Sequence, residues 1–233
     1  MLLDLLTTGA TPYMLLSSVI ASAIILLICI PIHEWAHCFT AYKLGDLTPK
    51  NQGRLTLNPF RHLDLIGSLA IVILGFGWGK SAIVNPRNFK NPKVGMAISA
   101  AAGPLSNLIM AYIGMVFWKL CVFGLPKLLP STEIAAIVFL VITQILVVFI
   151  QINVYLALFN LIPIPPLDGS KILGVILPTR TYFKFMNYER YGYIFIVALV
   201  IIGYRTDITE KVLASIFSVL GSLTGYVDML FRL

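Results

Sequence analysis

The feature that most constrains this chain is the spacing of its apolar stretches. Six run at roughly 13–42, 65–78, 95–123, 133–159, 190–203 and 211–231. A helix needs about 20 apolar residues to cross the hydrocarbon core of a bilayer. With 58% hydrophobic and only 12% charged residues and a mean hydropathy of +0.90, the chain is not a soluble domain. The expectation is an all-α polytopic membrane protein of about five to six transmembrane helices. The net charge of +7 is read as cytoplasmic loop charge rather than as a nucleic-acid surface. The N-terminal MLLDLLTTGA carries Asp4 and no basic residue, so no cleaved signal is expected. Cys29, Cys38 and Cys121 form no CxxC pair and read as packing residues.

Segment 65–78 is too short to span as a straight helix, and it holds Gly67, Gly75 and Gly77. The loop before it carries Lys43, Lys50, Arg54 and Arg61; the loop after it carries Lys80, Arg87, Lys90 and Lys93. Basic loops favour the cytoplasmic side. The segment therefore reads as re-entrant, with a short tilted span as the alternative. Arg54–Leu57 and Ser81–Val84 are β-prone and could pair as a short hairpin at the cytoplasmic surface. Such a hairpin would either capture substrate as an added strand or merely seal the mouth. Residues 1–233 read as a single membrane-embedded domain, with a core at about 13–178 and C-terminal helices at about 187–231.

The first apolar stretch contains His33-Glu34-Trp35-Ala36-His37. An ionisable residue at the centre of a membrane helix costs about 2.5–3.5 kcal/mol on insertion scales. Helical positions i and i+4 share a face, so His33 and His37 can hold one metal ion. Glu34 beside them suits a general base. This is the H-E-x-x-H pattern of zinc metallopeptidases. The bland alternative, a polar cluster that glues helices, leaves the metal-ligand spacing unexplained.

A catalytic zinc takes three protein ligands and keeps one position open. His62, in a loop between Arg61 and Asp64, reads as an interfacial polar residue. Asp168 is the better third ligand. It follows the Pro163, Pro165 and Pro166 break after the fourth apolar stretch, where irregular backbone can present a carboxylate to a neighbouring helix. The alternative is an acid that caps the next helix. Both His33 and Asp168 lie near the cytoplasmic side only if 65–78 does not cross. Gly95, Ser99, Gly103, Asn107 and Ala111 recur every four residues, a spacing that lets membrane helices approach closely. Asn107 has two readings, a donor to a reaction oxyanion or interhelical glue. Asn160, close to Asp168 in sequence, is a candidate to touch substrate or support the metal ligands. Gln144, Gln151 and Tyr155 form a polar stripe suited to helix packing or to a water path.

At these residues the chain resembles the site-2 protease family of intramembrane zinc metalloproteases, and most of all its small prokaryotic members. The resemblance rests on HEWAH at 33–37, GPLSN at 103–107 and LIPIPPLDG ending at Gly169, in family order. The family's asparagine in Asn-Pro-x-Asp-Gly is replaced, since the run here is Pro-Pro-Leu-Asp-Gly. No PDZ or CBS module is recognised. The resemblance implies a zinc-dependent endopeptidase of the cell membrane, its active site toward the cytoplasm. Zn2+, one per chain, would be held by His33, His37 and Asp168, with Glu34 as base. The substrate would be a transmembrane protein that unwinds locally to expose a peptide bond. The rival is a metal-binding membrane scaffold or transporter with the same ligands. A transporter needs polar groups on both sides of the midplane, and here they concentrate toward the cytoplasmic half.

Overall fold

The computed structural model describes residues 12–74, 77–128, 132–187, 192 and 208–230. Among them, three helical stretches are long and apolar enough to cross a membrane: Ser18–Lys43, Pro92–Lys127 and Glu133–Leu161. The expected span at 190–203 lies, apart from Gly192, outside the described residues. The one expected at 211–231 is two helices joined at Thr224. The described residues fall into two compact units, one drawn from 1–107 and 157–192, the other from 108–156 and 193–233.

In the first unit, α1 (Pro12–Ile24) and α2 (Ile30–Lys43) join through a single π-helical turn, Ile25–Cys29. Pro31 has no N–H to give, and the Ile30 N–H donates five residues back to Ile25 O. π-turns inside α-helices recur at functional sites, and this one ends four residues before His33. Helix α2 stops at Gly45, whose φ of 107° suits a residue without a β-carbon. Asp46 N then donates to Ala41 O at 2.9 Å and Gly45 N to Tyr42 O at 3.1 Å, the paired bonds of a Schellman cap. The Asp46 carboxylate is wholly buried. It accepts from Thr48 N and Oγ1, from Asn85 N and from Asn88 Nδ2, at 2.6–3.0 Å. One acid thus ties the turn after α2 to the loop before the next long helix.

A short helix, α3 (Thr48–Asn51), leads to the 65–78 segment. Asp64 caps α4 (Leu65–Leu74), accepting from Gly67 N at 2.8 Å. The chain then doubles back against that helix. A β-carbon on Gly67 would lie 3.0 Å from Trp78 C, and one on Gly77 would lie 2.7 Å from Ile71 Cγ1. The two ends meet side by side: Leu63 and Gly79 form an antiparallel bridge, and Lys80 N donates to His62 O at 2.7 Å. The buried Arg54 guanidinium spans this neck, donating to Arg61 O and to Lys80 O.

The hairpin expected between 54–57 and 81–84 does not form, and no strand occurs among the described residues. The donors it needed go elsewhere. Ala82 N points to Glu34 Oε2 and Ile83 N to Gln52 Oε1, each at 3.4 Å. Arg54 N donates to Pro49 O at 2.9 Å.

Asn91 and Pro92 open α5 (Pro92–Leu128), with Val94 N bonded to Asn91 Oδ1 at 3.3 Å. Helix α6 (Glu133–Leu161) follows; both α5 and α6 contribute residues to each unit. The prolines at 163, 165 and 166 end α6, and α7 (Asp168–Leu173) and α8 (Thr179–Met186) come next. In the second unit, α9 (Ile208–Leu223) and α10 (Gly225–Leu230) lie beyond. There the buried Lys119 of α5 pairs with Asp228 at 2.8 Å and donates to Gly221 O at 2.8 Å. A cation on an apolar helix needs such a partner.

Candidate metal centre

His33 and His37 stand one turn apart on α2, their rings nearly perpendicular with centroids 4.6 Å apart. Their Nε2 atoms are 3.0 Å from each other. Asp168 Oδ2 lies 3.2 Å from His33 Nε2 and 3.0 Å from His37 Nε2. The three ligand atoms form a nearly equilateral triangle. All three residues are buried. Zinc with nitrogen and oxygen ligands at about 2.0–2.1 Å in a tetrahedron separates neighbouring ligand atoms by about 3.3 Å. The triangle is within a few tenths of an ångström of that edge, so the donor set fits zinc and leaves the fourth corner open.

The other nitrogen of each ring is engaged. His33 Nδ1 donates to Asn107 Oδ1 at 2.5 Å, and His37 Nδ1 to the Ser99 carbonyl at 2.7 Å. A proton on Nδ1 leaves the Nε2 lone pair for a metal and fixes the ring's orientation. Both partners come from α5, eight residues apart, matching two turns against the one turn between the histidines. Gly103 sits between them. A β-carbon there would lie 2.6 Å from His33 Cε1 and closer still to His37 Nε2. The four-residue stripe of α5 is therefore the platform on which both imidazoles rest. Ser99 Oγ adds a bond to His37 O at 3.2 Å.

Asp168 is placed by the proline break. Leu167 is extended, with ψ 155°, and Asp168 is the first residue of α7. Gly169 lets that turn press on the end of α6: a β-carbon there would lie 2.6 Å from Leu161 C. Glu34 is buried beside His33, outside the ligand triangle, with Oε2 directed at Ala82 N.

The sequence candidates separate as follows. His33, His37 and Asp168 are brought together. Asn107 reaches the site through His33, with its Oδ1 committed to that ring. Asn160 is half-buried in the last turn of α6. His62 is fully buried at the neck, donating from Nε2 to Thr56 O at 2.7 Å, and is not a member of the ligand group. Ser99 was legible only as a small packing residue, and Gly103 only through that stripe and the GPLSN run. Their parts, a backbone carbonyl and a missing β-carbon, leave no side-chain signature beyond the four-residue period.

Comparison with known proteins finds relatives by sequence. The protein named "Putative zinc metalloprotease YwhC" of Bacillus subtilis is 42% identical over 178 residues, covering 76% of this chain and 78% of its own. "Putative zinc metalloprotease Rip2" of Mycolicibacterium smegmatis is 28% identical over 181 residues, and that of Mycobacterium tuberculosis 26% over 177. These alignments span 62% and 63% of the Rip2 chains, less than two thirds of their length. No solved structure gives a significant match. The model of peptidase family M50 matches residues 21–203, and with that extent of agreement the chain belongs to peptidase family M50, the site-2 protease family.

Proposed function

We propose that this protein is a zinc-dependent intramembrane endopeptidase that hydrolyses peptide bonds of transmembrane proteins. The observation that carries the proposal is the triangle of His33 Nε2, His37 Nε2 and Asp168 Oδ2 with 3.0–3.2 Å sides, built on a helix apolar enough to span a bilayer. The names of the relatives, as zinc metalloproteases, support the choice of metal. Held by His33, His37 and Asp168, zinc would supply Lewis acidity and make water a stronger acid near neutral pH.

The chain's own residues do the rest. Glu34 takes a proton from the attacking water as its oxygen bonds the scissile carbonyl carbon. Glu34 then returns that proton to the nitrogen as the C–N bond breaks. Asn107 and Ser99 hold the histidine rings throughout. Asn160 is the remaining candidate for substrate contact. A helical substrate hides its carbonyls and N–H groups in its own hydrogen bonds, so it must unwind before it reaches Glu34.

We place the site toward the cytoplasmic side of the cell membrane of a prokaryote, since the loops flanking 65–78 are basic. The 65–78 segment is then re-entrant, a reading supported by the meeting of its ends at Leu63 and Gly79. Residues 1–233 act as a single protease domain. The test is paired: metal content of the purified protein, and cleavage of a model transmembrane substrate in detergent or vesicles. Zinc with chelator-sensitive cleavage supports the proposal. Zinc without cleavage of any membrane substrate would return the chain to the scaffold class.

A further inference from the structure

We propose that Lys171 is a positioning residue for the Asp168 carboxylate, keeping one oxygen for the metal and the other out of its coordination shell. The proposal rests on the metal-centre reading above. Asp168 divides its two oxygens. Oδ2 faces both Nε2 atoms at 3.2 and 3.0 Å, whereas Oδ1 accepts from Lys171 Nζ at 3.3 Å.

The division has a chemical consequence. A carboxylate can offer a metal one oxygen or two. A hydrolytic zinc site needs one position free for water, and a second Asp168 oxygen would compete for it. An ammonium on Oδ1 withdraws that oxygen and leaves Oδ2 as the sole donor. Lys171 is the cation the structure brings to Asp168.

The backbone leaves this choice to the side chains. The first turn of α7 is held against α6 at Gly169, where a β-carbon would lie 2.6 Å from Leu161 C. Ser170 is wholly buried, its Oγ donating to Leu167 O at 2.6 Å. What remains free is the rotation of the Asp168 carboxylate about its own side-chain bonds. Lys171, three residues on and on the same face of the turn, selects the rotamer. Partners of metal ligands of this kind typically change metal affinity about 10–100-fold when removed.

The bland account is an i,i+3 pair that only steadies the start of a six-residue helix. The experiment separates the two. Full-length protein and its Lys171→Met, Lys171→Arg and Asp168→Ala variants are purified in detergent. Zinc affinity is measured by competition with a chelator, and the visible absorption of the cobalt-substituted forms is recorded. We expect Lys171→Met to shift zinc affinity about tenfold, toward tighter binding as the freed Oδ1 joins Oδ2 on the metal and a neighbouring positive charge is lost. Its cobalt bands should weaken, as they do when a four-coordinate ion gains a fifth ligand. Lys171→Arg should restore both. Wild-type affinity and an unchanged cobalt spectrum in Lys171→Met overturn the proposal, since a helix-start role moves thermal stability alone. If Lys171→Met does not fold, Lys171→Gln takes its place under the same two criteria. If Asp168→Ala binds zinc as tightly as wild type, the metal-centre reading has failed. If Asp168→Ala loses zinc while Lys171→Met does not change, only the Lys171 proposal has failed.

Discussion

His33 Nδ1 and Asn107 Oδ1 meet at 2.5 Å across 74 residues of sequence, and this bond sets the face that His33 turns to Asp168. Asn107→Leu removes the acceptor and frees the ring. Zinc affinity should fall about 10–100-fold, as for other partners of metal-bound histidines. Asn107→Asp keeps an acceptor and should hold zinc near wild type. Chelator competition reads both. If Asn107→Asp keeps zinc but loses cleavage, the amide N–H2 serves the reaction itself.

Gly103 is predicted to tolerate no side chain. Gly103→Ala places a methyl group 2.6 Å from His33 Cε1. Overpacking of this kind costs about 1–3 kcal/mol, and here the displaced groups are the two imidazoles. Zinc occupancy should drop together with thermal stability. Gly221→Ala is the control, because a β-carbon there meets nothing within 4 Å. Equal behaviour of the two variants would remove the platform argument.

Glu34→Gln is predicted to keep zinc and fold while losing about 10²–10⁴-fold in turnover. Glutamine matches the shape of glutamate and can still meet Ala82, yet it cannot take a proton from water. Single-turnover cleavage of a model transmembrane peptide, alongside metal analysis, checks this. Turnover near wild type would end the general-base assignment.

The parts of this site that could be read in advance share one property: they depend on side-chain identity at a fixed helical spacing. His33 and His37 are one turn apart, and nothing about the fold is needed to place them on one face. Asp168 was accessible because three prolines announce a break in an apolar run. Ser99 was not, because it offers the site a carbonyl that any residue carries. Asn107 was read as an oxyanion donor or as glue, and the structure adds a third use, as acceptor for a ring nitrogen. The surface hairpin failed for a related reason. β-propensity in 54–57 and 81–84 said nothing of Pro49 O, Gln52 and Glu34, which accept from the N–H groups of Arg54, Ile83 and Ala82 that a ladder would need. The helix break at Thr224 carries no proline, and its Oγ1 bonds back to Leu220 O at 2.8 Å, a local choice invisible to apolar length.

Asp46 should make the loop after α2 sensitive to acid. Burial pushes its carboxyl up, but donors from Thr48, Asn88 and Asn85 outweigh that and hold it below the ordinary value of 3.8. A depressed carboxylate contributes stability that is present above its unfolded pKa and is lost as pH falls through the folded one. The protection of the Thr48 and Asn85 amides, taken relative to intrinsic exchange at each pH, should therefore be high at neutral pH and fall below about pH 4. Asp46→Asn should be weakly protected throughout, converging with wild type at the acid end. A gap between the two that persists at the lowest pH would show that charge is not the cause.

The 65–78 segment should enter and leave on one side of the membrane. Its ends are paired at Leu63 and Gly79, Lys80 N donates to His62 O at 2.7 Å, and Arg54 bonds to carbonyls on both limbs. Helix α4 has 10 residues, about 15 Å at 1.5 Å per residue, against a hydrocarbon core of about 30 Å. A chain that closes its own neck with half the needed length is expected to turn back. Lys50→Cys and Lys90→Cys, in a background lacking Cys29, Cys38 and Cys121, can be probed in intact cells with an impermeant thiol reagent. Both should be protected until the membrane is opened. Labelling of Lys90→Cys from outside, with Lys50→Cys still protected, would mean that the segment spans. The neck contacts would then have to break in the bilayer, and Asp168 would need another route back to His33 and His37.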